Sequence, residues 1–161
     1  MFNIRTIQMT DNQHIANIIR NVSIEFGLAA ESGYAVADST LDQLSFVYAA
    51  SHSCYWVVTN ENNQVLGGGG IAPLQGDDTV LEIQKMYFTE KVRGFGFAKQ
   101  ILQLCFEFAR AQGFSRIYLE TTASLWQAVK LYEKLGFIHL SEPMGNTGHS
   151  KACEIRMLKH L

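Results

Sequence analysis

A short run past the middle of the chain carries residue types that could grip an anion: Lys91-Val92-Arg93-Gly94-Phe95-Gly96-Phe97-Ala98. It separates a stretch with strand character from one with helical periodicity. A helix start leaves its first amide N–H groups without internal partners, and the helix dipole adds partial positive charge there. Gly94 and Gly96 remove side chains that would hold a phosphate away from those amides. Ala98 keeps the next turn slim, and Arg93 adds a permanent cation whose fork suits phosphate oxygens. The alternative is that both glycines serve only tight helix–sheet packing. Glycine inside a helix costs about 1 kcal/mol relative to Ala, so two in a first turn ask for a reason. Other phosphate loops do not fit, because there is no third glycine in a βαβ setting and no Gly-Lys-Ser/Thr.

The elements that would position this turn follow from periodicity. Phe2 to Gln8 alternates like a half-buried strand, and Thr10 or Asp11 can cap a helix bearing Ile15, Ile18, Ile19, Val22 and Phe26, with Gly27 near its end. Leu28 to Asp38 reads as a loop. Ser39 or Thr40 can cap a second helix with Leu41, Leu44, Val47 and Tyr48. Cys54–Thr59 and Val65–Ala72 make a hairpin across Asn60-Glu61-Asn62-Asn63, and Thr79–Phe88 is a fourth strand. A long helix is expected from Gly94 to Gln112, a strand from Ser115 to Thr121 and a helix from Ser124 to Leu135. Strands over Phe137–Leu140 and Ala152–Leu158 close the chain. The pattern predicts one α/β (α+β) domain over residues 1–161, with a mixed sheet of about seven strands in one layer and about four helices covering its faces.

Composition narrows the function class. The chain has 161 residues, 47% hydrophobic and 17% charged, with a formal net charge of -2. That is enough to bury a core, and it offers no reason to expect a nucleic-acid or membrane partner. No run approaches the roughly 18 apolar residues of a membrane span, and Met1-Phe2-Asn3-Ile4-Arg5 lacks a signal-peptide layout. Cys54, Cys105 and Cys153 are odd in number and far apart, which suits buried free thiols in a reducing cytoplasm better than disulfides or a zinc site. His14, His52, His139 and His160 show no ligand spacing, so no metal is expected.

Taken together, these motifs resemble the GNAT superfamily of N-acetyltransferases. Its signature is Arg or Gln, two residues, Gly, one residue, then Gly or Ala, here Arg93, Gly96 and Ala98. The preceding strand end is Ile83-Gln84-Lys85-Met86-Tyr87-Phe88, and the downstream helix ends in Leu131-Tyr132-Glu133-Lys134-Leu135-Gly136-Phe137. The resemblance is sharp from Leu81 to Phe137 and follows the element order of the whole chain. Two features depart from it. Many members carry an Asn three residues before the Ala of the last helix, where Leu125 stands here, so that contact is lost or comes from Thr121, Thr122 or Ser124. The run Gly67-Gly68-Gly69-Gly70 is also unusual for a strand and fits either close packing or room for a ligand.

The resemblance implies acetyl-CoA as cosubstrate and direct transfer to a primary amine in a ternary complex. It places the cofactor against Met86, Tyr87 and Phe88, whose backbone would face the thioester carbonyl, and against Arg93, Gly94, Phe95, Gly96, Phe97 and Ala98. Tyr132 falls where the family's Tyr approaches the CoA sulfur, as a weak acid for the departing thiolate or as a core ring. Glu82 is the candidate base, or else a strand residue that pairs with Lys85 or faces solvent; Glu120 and water are rivals. His149 lies in a loop that often borders the acceptor site, where a His without a role is the alternative. The acceptor is a small molecule or a peptide, chosen by residues 24–44 and 141–151, and a homodimer is open. An acyl-CoA-binding module without turnover is the competing function.

Overall fold

The computed structural model describes residues 1–161. Seven strands form one sheet: β1 (Phe2–Thr6), β2 (Cys54–Asn60), β3 (Val65–Leu74), β4 (Asp77–Phe88), β5 (Arg116–Thr121), β6 (Ile138–Leu140) and β7 (Ile155–His160). Their order across the sheet is β1-β2-β3-β4-β5-β7-β6, and every pairing is antiparallel except β4 with β5. The helices are α1 (Asn12–Glu25), α2 (Leu44–Val47), α3 (Phe97–Ala111) and α4 (Trp126–Lys134).

Alternation along the strands divides the core between two faces. Trp56 and Val58 join Ile101, Leu102, Cys105, Phe106 and Val129 of α3 and α4, while Tyr55 and Val57 join Ile15, Ile19 and Val22 of α1 and Leu44 of α2. Helices therefore cover both faces of a sheet whose central strands are apolar on each side. The i, i+4 spacing of Ile101, Cys105 and Ala109, each fully buried, is what seats α3.

Four local expectations need correction. The second helix is a single four-residue turn preceded by the 3-10 turn Leu41–Gln43, and two further 3-10 turns cross the expected loop at Ala30–Ser32 and Ala35–Ala37. Asp11 does not cap α1 with its side chain. It takes the Gln8 amide at 2.7 Å, closing a 3-10 turn over Met9–Asp11, and a two-pronged pair from Arg5 at 2.7 and 3.0 Å. The last strand runs Ile155–His160 rather than from Ala152. Helix α3 begins at Phe97, not Gly94, because Gly94 and Gly96 both adopt left-handed φ values, of 80° and 82°. An added Cβ at either would touch no protein atom within 4 Å, so the backbone angle, and not tight helix–sheet packing, requires glycine there.

The glycine run in β3 resolves toward packing. A Cβ on Gly67 would sit 2.5 Å from the Phe88 ring, on Gly68 2.5 Å from the Trp56 carbonyl, on Gly69 2.5 Å from Met86 Sδ and on Gly70 2.5 Å from the Tyr55 ring. Aromatic side chains, Met86 and neighbouring backbone fill the volume that side chains would take.

Candidate active site

The parallel pair β4–β5 holds the site open. Its register comprises only Leu81 with Ile117 and Glu82 with Tyr118. Beyond Glu82 the two strands part. On the other edge of β4, Gly68 faces Tyr87 while Gly70 faces Gln84, so β4 spends one residue more than β3 over this step. Lys85 takes up the excess with φ 51°. A bulge of this kind bends a strand and increases its twist, which carries the end of β4 away from β5.

A cavity of about 650 Å³ lies in the gap, lined by Glu82, Lys85, Met86, Tyr87, Glu120, Tyr132 and His149 among others. Residues 28–38 and the β6–β7 loop contribute Leu28, Tyr34, Asp38, Thr147 and Gly148 to its walls. Of the expected strand-end trio, Met86 and Tyr87 border the cavity. The carbonyl of Phe88 instead accepts a 3.0 Å hydrogen bond from Nε of Arg93.

Beyond β4, the turn leads into α3 with its donors unspent. The N–H groups of Gly94, Phe95, Gly96, Phe97, Ala98 and Lys99 bond to no carbonyl or side chain, and the first helical bond from this end is Gln100 N–H to the Gly96 carbonyl at 3.1 Å. Gly96 caps the helix without any side-chain acceptor. Six consecutive donors at a helix N-terminus suit an anion, so the residues present fit a pyrophosphate. Arg93 is engaged elsewhere: its guanidinium makes a two-pronged pair with Glu25 at the end of α1 and lies 5.1 Å from the centre of the Phe26 ring.

Glu82 is 3% exposed. It pairs with neither Lys85 nor solvent. Its Oε1 accepts from Gln84 at 2.5 Å, Gln84 in turn accepts from the Tyr48 hydroxyl at 2.7 Å, and its Oε2 is buried without a partner. Burial raises its carboxyl to about 7; Glu120 adds to the rise, and Gln84 and Lys85 oppose it. Lys85 binds Asp38 at 2.8 Å. Burial would raise Asp38, yet Lys85 and Thr40 hold it at about 2.

Glu120 has no exposed side-chain surface and accepts from the Thr147 and Ser150 hydroxyls. Nδ1 of His149 lies 3.4 Å from it. Burial lowers the His149 imidazole below its ordinary range, and Lys85 adds to this while Glu120 opposes it. Tyr132 is 6% exposed and its phenol is held well above the ordinary range, first by burial. Leu125 sits at the start of α4 and borders the cavity. Thr121 and Thr122 also border it, and the Thr122 hydroxyl is spent on Glu154 at 3.0 Å.

A local motif marks Tyr132 and the family resemblance alone marks Glu82, and the structure brings both to one cavity. The partners that set their chemistry were not legible. Gln84, Tyr48, Thr147 and Ser150 lack any motif, and Lys85 gives no sign in sequence of its left-handed backbone.

Comparison with known proteins converges on one family. The model of the Acetyltransferase (GNAT) family matches residues 22–137. The chain is 51% identical over 158 residues to the "Uncharacterized N-acetyltransferase YjgM" of Escherichia coli, covering 98% of this chain and 93% of that one. Among solved structures it is similar to a GNAT-family acetyltransferase from Staphylococcus aureus, with a TM-score of 0.86 at 18% identity, covering 100% and 99% of the two chains. A Clostridium acetobutylicum acetyltransferase solved with acetyl-CoA matches with a TM-score of 0.70 at 24% identity, over 89% of this chain and 94% of that one. No helix here is long and apolar enough to cross a membrane. With its family match, its near full-length relative and its fold in agreement, the chain belongs to the GNAT family and is an N-acetyltransferase.

Proposed function

We propose that the enzyme transfers the acetyl group of acetyl-CoA to a primary amine of a small molecule or peptide, by direct attack in a ternary complex. One observation carries this reading: β4 and β5 separate just beyond Glu82, and the cavity in the gap gathers Glu82, Met86 and Tyr132 near the end of β4 that feeds the unpaired N–H groups.

The N–H groups from Gly94 to Lys99, with Phe95, Phe97 and Ala98 among them, hold the pyrophosphate. Arg93 reaches a phosphate only by exchanging Glu25 for it. The backbone of Met86 to Phe88 lines the path of the pantetheine arm and donates to the carbonyl as negative charge develops there. Acetyl-CoA supplies the activated acyl carbonyl and a thiol as leaving group. Glu82 accepts the amine's proton through Oε2. A carboxyl near 7 is a stronger base than an ordinary one yet still half ionised at neutral pH, which is where general-base catalysis works best. Tyr132 has the harder task, because a phenol raised by burial gives up its proton reluctantly. Its role is therefore a hydrogen bond to the departing sulfur, which stabilises negative charge before full protonation.

Two measurements test the reading. Acetyl-CoA in excess should raise the melting temperature, since a ligand bound only to the folded state stabilises it. Release of CoA thiol across a panel of amines, amino acids and peptides should then identify the acceptor. A melting temperature indifferent to acetyl-CoA would end the proposal. Binding without thiol release for any amine would leave an acyl-CoA-binding module in its place.

A further inference from the structure

Three side chains converge in the cavity, two of them with a buried polar atom unspent. Glu82 on β4, Glu120 on β5 and His149 in the β6–β7 loop each place one ligand-type atom within 4.8 Å of the others. Oε2 of Glu82 and Nδ1 of His149 are buried and lack hydrogen-bond partners. Glu82 is 3% exposed, and Glu120 has no exposed side-chain area. Two buried carboxylates beside an unpartnered imidazole nitrogen are costly without a positive charge among them, and the nearby Lys85 is committed to Asp38 at 2.8 Å. The carboxylates are held in place: Gln84 donates to Oε1 of Glu82, Thr147 to Oε1 of Glu120 and Ser150 to Oε2 of Glu120, so Glu120 would ligate through the second lone pair of an oxygen that already accepts a hydrogen bond. Outer hydrogen bonds of this kind orient metal ligands.

We propose that Glu82, Glu120 and His149 form a divalent-cation site in the wall of the cavity, suited to a first-row transition ion such as Zn²⁺. One imidazole and two carboxylates match that class better than the all-oxygen shells of Mg²⁺ or Ca²⁺. Three atoms no more than 4.8 Å apart share a centre within about 2.8 Å of each. Reaching the roughly 2.0–2.2 Å of bound Zn²⁺ takes shifts of about 0.6–0.8 Å, and His149 sits on a loop that can supply the largest. Three protein ligands leave a further position facing the cavity. An ion on Oε2 of Glu82 also removes the proton acceptor, so the metal inhibits amine acetylation. That consequence rests on the reading of Glu82 as base; the site itself does not.

The untagged full chain, stripped with a chelator, is titrated with Zn²⁺ against a chromophoric competitor. One ion per chain is expected. Binding should weaken at least tenfold or so in Glu120→Gln and in His149→Ala, the lower end of what losing even an outer partner costs. Thermal melting confirms that each variant is folded, and His149→Ala, being in a loop, keeps the test available if Glu120→Gln is not. No Zn²⁺ binding, or binding unchanged in every folded variant, overturns the site. Zn²⁺ binding that needs these residues but leaves turnover unaffected upholds the site and instead removes Glu82 from the role of base.

Discussion

Replacing Glu82 with Gln should make the protein more stable and nearly inactive at the same time. The carboxyl rises from 4.5 to about 7, chiefly through burial. At about 1.4 kcal/mol per tenfold change in proton affinity, the ionised form is destabilised by about 3 kcal/mol. Because the folded value is the higher one, this stability is fully present below about 4.5 and is lost as the pH rises through about 7. Glutamine keeps an oxygen for Gln84 and carries no charge, so the variant escapes the loss. At pH 8 its melting temperature should exceed that of the wild type by up to about 10 °C for a chain of this size, and at pH 4.5 the two should nearly coincide. Activity should move the other way. A base near 7 gives a wild-type kcat/KM that rises about tenfold between pH 6 and 8, and the variant should lose about 10²–10⁴-fold together with that limb. Scanning fluorimetry at both pH values and a pH–rate profile by thiol release measure the two effects. Equal melting temperatures at pH 8, or the same rising limb in the variant, would refute the reasoning.

Four further outcomes are expected. Tyr132→Phe should lower kcat about tenfold to a hundredfold with acetyl-CoA affinity preserved, because a hydrogen bond to a charged atom is worth about 1.5–3 kcal/mol; unchanged kcat returns the ring to a packing role. Gly96→Ala forces a left-handed residue at φ 82° to carry a Cβ, at about 1–2 kcal/mol, and calorimetric titration should show weaker CoA binding. Glu25→Gln frees the Arg93 guanidinium and should tighten CoA more than a pantetheine fragment without phosphates; equal effects on both would argue against a phosphate role for Arg93. Gly70→Ala places a Cβ 2.5 Å from the Tyr55 ring and 2.9 Å from Tyr48, and denaturant titration should show about 1–3 kcal/mol of destabilisation from overpacking.

Much of the fold was legible because its signals are local. The i, i+4 apolar spacing of α3 states which face it buries, and Cys54–Thr59 reads as a strand, although the apolar run Tyr55, Trp56, Val57 and Val58 does not state which sheet face each residue meets. The turn from Arg93 to Ala98 was legible for the same reason. The structure adds a reason for its glycines that the sequence does not show, since both adopt left-handed backbone angles. Strand boundaries and the 3-10 turns were missed where short-range turn hydrogen bonds replace a regular element, as Ala152 and Cys153 show by bonding back to the His149 carbonyl.

Sequence by itself determined that a glycine-bearing turn stands between a strand and a helix, that Tyr132 follows it in a motif, and that Glu82 lies on the strand before it. Tertiary structure alone decided what those groups can do. The bulge at Lys85 opens β4 from β5, and burial among β4, β5 and the β6–β7 loop brings Glu82, Glu120 and His149 together from 38 and 67 positions along the chain. A proton affinity depends on the surrounding dielectric and on neighbouring charges. Neither exists until the chain has folded.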